Sequence, residues 1–200
     1  MARTFDGTDD QLRTSISSQI NIGFGTFIAI ARKNSDPASI RAVCRLASIT
    51  PTNRMGLFHN SSGSGNQIGW SNGSATSIAT AWTASDNWCL IGAGKATGTV
   101  AARTHKYVYD TNTWTHADGG ASVADATAPG TDGTFYIGSR ATDTFFDGDI
   151  LLVAAWGRNL TDAEVELLPY SFQMFFALAP AGLWLLDQSR LTWYTNDFWH

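Results

Sequence analysis

Few side chains in this 200-residue sequence are of kinds that do chemistry, and their spacing restricts what they can do. Acids gather twice: Asp6, Asp9 and Asp10 in FDGTDDQLR, and Asp147 and Asp149 in FFDGDI. A calcium ion needs several convergent oxygen ligands. Asp6, Asp9, Asp147 and Asp149 are therefore the calcium candidates, on condition that the two acidic turns meet in space. The competing reading is that these aspartates build turns by accepting hydrogen bonds from nearby backbone amides. Asp147 and Asp149 also have the period-two spacing that puts two carboxylates on one strand face. A glycosidase, however, needs a positioned pair in two different environments. Glu occurs only at Glu164 and Glu166, outside that strand, so no catalytic residue is assigned and the protein is expected not to be an enzyme.

The other reactive types are as sparse. His59, His105, His116 and His200 show neither HxH nor HExxH spacing, so a zinc centre would require a cluster formed only in space. Cys44 and Cys89 read as buried small hydrophobes, with a single disulfide as the alternative. LIGAGKATG lacks the GxxxxGK[ST] pattern of a phosphate loop, and residues 92–95 are assigned to a strand or hairpin turn.

Aromatic side chains are the more abundant resource, with eight tryptophans. Trp70, Trp82, Trp88 and Trp114 could each offer a platform for a sugar ring, and Trp70 and Trp114 are the glycan-binding candidates. Trp70 is the preferred exposed one because it follows the flexible SSGSGN loop. Core packing is the competing reading for every large aromatic in a small sandwich. Phe172, Phe175, Phe176, Trp184, Trp193 and Trp199 crowd the last thirty residues. Exposed together they would invite aggregation, so they are assembly-interface candidates unless they complete this chain's own core.

The elements that must position these residues are strands. Thr, Ser, Asn, Asp and Gly carry the polar composition instead of Lys and Glu, which suits strands and turns better than helices. Alternation predicts strands over 23–33, 41–49, 55–60, 67–70, 75–82, 88–95 and 99–109. One irregular strand between long loops is expected in 114–132, and another strand around Tyr136. ILLVAAW, residues 150–156, is apolar without a break and is read as a central strand covered on both faces. LTDAEVELL then begins a helix near 161–168. Thr161 serves as N-cap, Glu164 completes a capping box, Leu160 and Val165 form a hydrophobic staple, and Pro169 ends the helix. One or two further strands are expected in the last segment, at 183–186 and 191–194.

The formal charge of −4 is mild, and Lys and Arg are not gathered on one segment. The tight pair Arg32–Lys33 reads as a solvated strand end, so nucleic acid is not an expected partner. The start has no apolar signal region. FQMFFALAPAGLWLL is interrupted and too short to cross a bilayer, so no membrane insertion is expected.

Three landmarks in order resemble the laminin G-like, concanavalin A-like jelly-roll family. They are FDGTDDQLR at the amino terminus, GTFIAIARK as the second major strand, and TFYIGSR followed by FFDGDILLVAAWGRNLTDAEV. The resemblance implies an all-β jelly-roll sandwich with one short carboxy-terminal helix. The resemblance covers about residues 3–170 and implies a sandwich domain over 1–170, followed by an aromatic-rich extension over 171–200. Leu151, Leu152, Ala154 and Ala155 stand where members of the family often carry charge, which weakens any carry-over of a metal. The ending AEVELLPYSFQMF is similar to modules encoded by tailed bacteriophages. That similarity implies a non-enzymatic virion accessory protein, a capsid decoration or fibre-associated component that folds in the host cytoplasm. Its partners would be other virion proteins or copies of itself. The alternative the family implies is a carbohydrate-binding module that engages a surface glycan, with calcium as its only candidate cofactor.

Overall fold

A computed structural model describes residues 2–15, 23–36, 39–47, 54–60, 66–72, 75–126, 134–139, 144–170 and 182–185. Thirteen strands and one helix follow in chain order: β1 (Arg3–Asp6), β2 (Leu12–Ser15), β3 (Gly25–Lys33), β4 (Arg41–Ala47), β5 (Arg54–Asn60), β6 (Gln67–Ser71), β7 (Thr76–Ala81), β8 (Cys89–Lys95), β9 (Val100–Val108), β10 (Thr113–Val123), β11 (Thr134–Ile137), β12 (Asp147–Trp156), α1 (Asp162–Leu167) and β13 (Gly182–Leu185). The strands form two antiparallel sheets. The first runs β1-β12-β3-β8-β9-β10 with β13 also on β12, and the second runs β2-β11-β4-β5-β6-β7. This is the jelly-roll sandwich with a short helix that the landmarks imply.

Period-two burial explains why the layers stack. Phe27, Ala29 and Ala31 of β3 point into the space between the sheets, where they meet Leu46, Leu57, Trp70 and Phe135 from the second sheet. Ile28 and Ile30, the alternate residues, point to the outer face of the first sheet. There Leu152, Ala154 and Trp156 join Leu160, Val165 and Leu168 in a second apolar layer under α1. Strand β12 is thus buried on both faces, as its unbroken apolar run requires. Its alternation slips once: Ile150 pairs with Ala31 and Leu152 with Ile30, so Leu151 is a bulge residue. Without that bulge Leu152 would face the inter-sheet core.

Two expectations change. The tract expected to hold an irregular strand between loops carries β10, an eleven-residue strand with its irregularity confined to Asp118–Ser122. Alternating Gly, Ala, Ser and Thr provide little hydrophobic signal, yet the backbone still pairs with β9. Lys33 is not solvated, because its ammonium is buried and bonded, as described below. Cys44 and Cys89 are the buried small side chains expected of them, free thiols that burial pushes up to about 12. In the final segment, β13 pairs with Leu152–Ala155, beside β1 on the same edge of β12. The strand expected at 191–194 lies outside the described residues.

Candidate functional site

The densest polar grouping lies on the outer face of the first sheet, where the β9–β10 hairpin passes under α1. Alternation sends Arg103, His105 and Tyr107 of β9 outward. The ladder places Asp118, His116 and Trp114 of β10 directly opposite them, in that order. Three cross-strand pairs therefore stand side by side: an ion pair, two imidazoles and two aromatic rings.

Helix α1 closes over this row because its start is anchored locally. The Thr161 hydroxyl accepts from the Glu164 amide at 3.3 Å, and Glu164 accepts from the Thr161 amide at 2.9 Å. Thr26 fixes the approach from below. Its hydroxyl donates to the Arg158 carbonyl at 3.0 Å and accepts from the Leu160 amide at 2.9 Å. Arg158 grips Glu164 through two contacts of 3.0 and 2.8 Å, which holds the Glu164 carboxyl down to about 2. Asp162, Glu166 and Tyr170, spaced four apart, then meet the hairpin at Arg103, His116 and Tyr107 respectively.

Arg103 donates to both oxygens of Asp162, at 3.0 and 2.5 Å, and to Asp118 at 3.2 Å. Those bonds raise the guanidinium further and hold the Asp162 carboxyl below its ordinary range, against the opposing effect of burial. His105 Nδ1 lies 2.8 Å from His116 Nδ1. Burial first, and the neighbouring His116 second, lower His105 to about 4. His116 Nε2 lies 3.1 Å from Glu166 Oε1. His105 is fully buried, and its Nε2 has no hydrogen-bond partner among the described residues.

An aromatic ledge adjoins the imidazoles. Trp114 stacks on His116 with centroids 5.0 Å apart and planes 14° apart. Tyr107 touches Tyr109, Trp114 and Tyr170 at 5.0, 5.0 and 5.9 Å. Tyr107 is buried and donates to Asn112 at 2.6 Å, while Tyr170 is 68% exposed. Trp114 is legible from the sequence, whereas nothing in the spacing of His105 and His116 links the two histidines. The available signal was RxHxYxY on one strand and WxHxD on the next. Only the register of the hairpin converts it into contacts.

Of the two glycan candidates, Trp114 is half-buried on this ledge. Trp70 corrects the expectation of an exposed platform: it is fully buried between the sheets, because alternation on β6 turns it inward. The Lys95 ammonium lies over its ring at 5.4 Å. Trp82 is also buried, and Trp88 is half-buried beneath the Arg32 guanidinium at 5.3 Å. Among the assembly candidates, Trp184 lies on β13, where only the backbone is described, opposite Val153. Phe172, Phe175, Phe176, Trp193 and Trp199 lie outside the described residues.

The two acidic turns do meet, since Asp6 pairs with Asp147 across β1 and β12. Their oxygens are engaged in local bonds. Asp6 accepts from the amides of Thr8 and Asp9, Asp147 from Asn34 and Ser35, and Asp149 from Thr4 and Arg32, each of the last two at 2.6 Å. Asp9 contributes its amide to this turn. Among the described residues, the group of three whose ligand atoms converge is His105, His116 and Asp162, not these aspartates.

Two further buried cations are structural. Lys33 contacts Asp36 at 2.5 Å, lies 3.0 Å from His59 Nε2 and donates to the Trp82 carbonyl. Burial lowers Lys33. Burial and then the Lys33 charge lower His59 to about 4. Lys95 donates to Asp125 at 2.5 Å and to the carbonyls of Ala96 and Gly98, closing the β8–β9 turn.

With fold and site defined, the molecule is a two-sheet antiparallel jelly roll of the concanavalin A-like kind. No protein-family model and no curated protein matches the sequence. Solved structures do. The LG1-3 region of the laminin alpha2 chain superposes with a TM-score of 0.58 at 14% identity, over 78% of this chain and 31% of that one. The enzymatically active domain of tailspike protein 2 from bacteriophage CBA120 gives 0.58 at 13%, over 94% and 33%. The CBM40 of Ruminococcus gnavus IT-sialidase, bound in that structure to α2,3-sialyllactose, gives 0.51 at 12%, over 84% and 97%. The chain thus spans about a third of the laminin and tailspike chains and nearly all of the CBM40. At these identities the likeness is one of fold, a scaffold shared by laminin G, CBM40 and phage tailspike modules. No helix among the described residues is long and apolar enough to cross a membrane.

Proposed function

We propose that this protein is a non-enzymatic glycan-binding module whose contact surface is the ledge of Tyr109, Trp114 and Tyr170. One observation carries the reading: exposed Tyr170 and half-buried Tyr109 and Trp114 lie beside hydrogen-bonding groups, Asn112, His116 and Glu166, where α1 crosses the outer sheet face. A sugar presents an apolar ring face edged by hydroxyls, and a site of this composition matches both parts. Arg103 and Arg158 are already held by Asp162, Asp118 and Glu164, so the ledge suits a neutral glycan better than an acidic one. The whole-length likeness to the CBM40 supports the reading.

The non-enzymatic part rests on the carboxylates beside the ledge: a glycosidase general acid needs a raised pKa, whereas Asp162 and Glu164 are held down by Arg103 and Arg158. Binding to an array of neutral and sialylated glycans, α2,3-sialyllactose included, tests the proposal. Wild type should retain neutral glycans, and Tyr170→Ala, a change at an exposed side chain, should weaken them at least tenfold. No retention of any glycan at millimolar concentration would overturn it.

A second reading, a virion accessory protein assembling through residues 171–200, is favoured by the density of aromatics there. A stable monomer with that segment packed internally would sink this reading.

A further inference from the structure

We propose that His105, His116 and Asp162 form a binding site for a divalent transition metal of the Zn2+ class, tying α1 to the β9–β10 hairpin. Three elements each supply one ligand atom. His105 Nδ1, His116 Nδ1 and Asp162 Oδ1 define a triangle with edges of 2.8, 3.7 and 3.8 Å. A point in its plane therefore lies about 2.0 Å from all three atoms, within the range of Zn–N and Zn–O bonds (about 2.0–2.2 Å). Asp162 Oδ1 is too far from either imidazole to accept a hydrogen bond, yet it is nearly equidistant from both. A shared proton between the rings accounts for the 2.8 Å contact and the Arg103 ion pair for the hold on Asp162. A cation between the three accounts in addition for the convergence of all three ligand atoms on one point.

The surrounding groups suit the same assignment. Glu166 faces His116 Nε2 at 3.1 Å. A proton held there leaves the Nδ1 lone pair directed at the site, the role of the carboxylate behind a metal-bound histidine. Arg103 orients Asp162 through both of its oxygens, Oδ1 at 3.0 Å among them, which leaves the second lone pair of Oδ1 for the site. Two imidazoles and one carboxylate favour zinc, cobalt, nickel or copper over calcium, which takes oxygen. Three protein ligands leave a fourth position for water or a ligand group. The proposal stands independently of glycan binding.

The test is titration of the full-length, chelator-stripped protein with Co2+, followed by its visible absorption, and competition by Zn2+. Wild type should bind one Co2+ with the intense spectrum of a four- or five-coordinate ion, which Zn2+ abolishes. His116→Asn, at a ring only 12% exposed but near the surface, should weaken binding at least 100-fold. Glu166→Gln, at an exposed position, should weaken it 10- to 100-fold. His200→Ala should leave it unchanged. If His116→Asn fails to fold by circular dichroism, Glu166→Gln decides alone. An absent or six-coordinate spectrum in wild type, or unchanged affinity in the folded variants, overturns the site.

Discussion

At the scale of single residues, the sandwich tolerates buried charge only where each charge has a fixed partner. Lys33 illustrates the rule: its ammonium reaches Asp36, His59 and the Trp82 carbonyl, and its position over the Trp82 ring at 5.3 Å adds a cation–π contact. His59 bears the consequence. Unfolded, it takes a proton near its ordinary value of 6.5, whereas folded it resists to about 4 because burial and the Lys33 charge oppose protonation. The unfolded state therefore binds more protons between those values, and stability that is complete above pH 6.5 falls as pH drops toward 4. The contribution is at most about 3 kcal/mol from the size of the shift. Asp36, facing His59 across Lys33, is itself held below its ordinary 3.8, so its loss belongs to more acid conditions. Urea denaturation from pH 7 to 4.5 should show stability declining in wild type and a flatter profile in His59→Gln. Parallel profiles would show that another group titrates.

At the scale of elements, β12 and α1 show what was legible in the sequence and what was not. The run ILLVAAW marked a strand covered on both faces, and Thr161 with Glu164 marked the start of the helix, because both signals lie within a few residues. The bulge at Leu151 had no such signal, since every neighbouring residue is apolar whichever way it points. For the same reason the register of β9 against β10, which makes the histidine row, could not be read from two strands rich in Ala, Thr and Gly. Trp70 failed similarly: a flexible loop precedes it, but burial depends on which face the strand turns inward. The bulge makes a sharp prediction. Leu152→Ala, at a fully buried side chain under α1, should cost about 2–5 kcal/mol. Leu151→Ala, at the half-buried bulge, should cost less than half of that. Chemical denaturation of the two variants compares them directly, and equal losses would contradict the bulged register.

At the scale of the whole molecule, the jelly roll has one central strand whose outer edge is shared by two distant parts of the chain. β1 pairs with residues 147–150 of β12 and β13 with residues 152–155, so the two short strands lie end to end along one long partner. Paired this way, β12 exposes no open edge in its most apolar half. An unpaired stretch of backbone beside Leu152, Val153, Ala154 and Ala155 would be a template for another chain's strand. Residues 182–185 therefore do for this fold what a buried core cannot: they satisfy the backbone of β12. A chain ending at Tyr170 should keep the sandwich by circular dichroism, since every described member of both apolar layers precedes that point. It should nevertheless self-associate more than the full-length chain at equal concentration, with a light-scattering mass that rises with concentration. If both forms give the same mass over the same range, β13 does not protect that edge. Its pairing would then serve only to carry the aromatic segment back to the sheet.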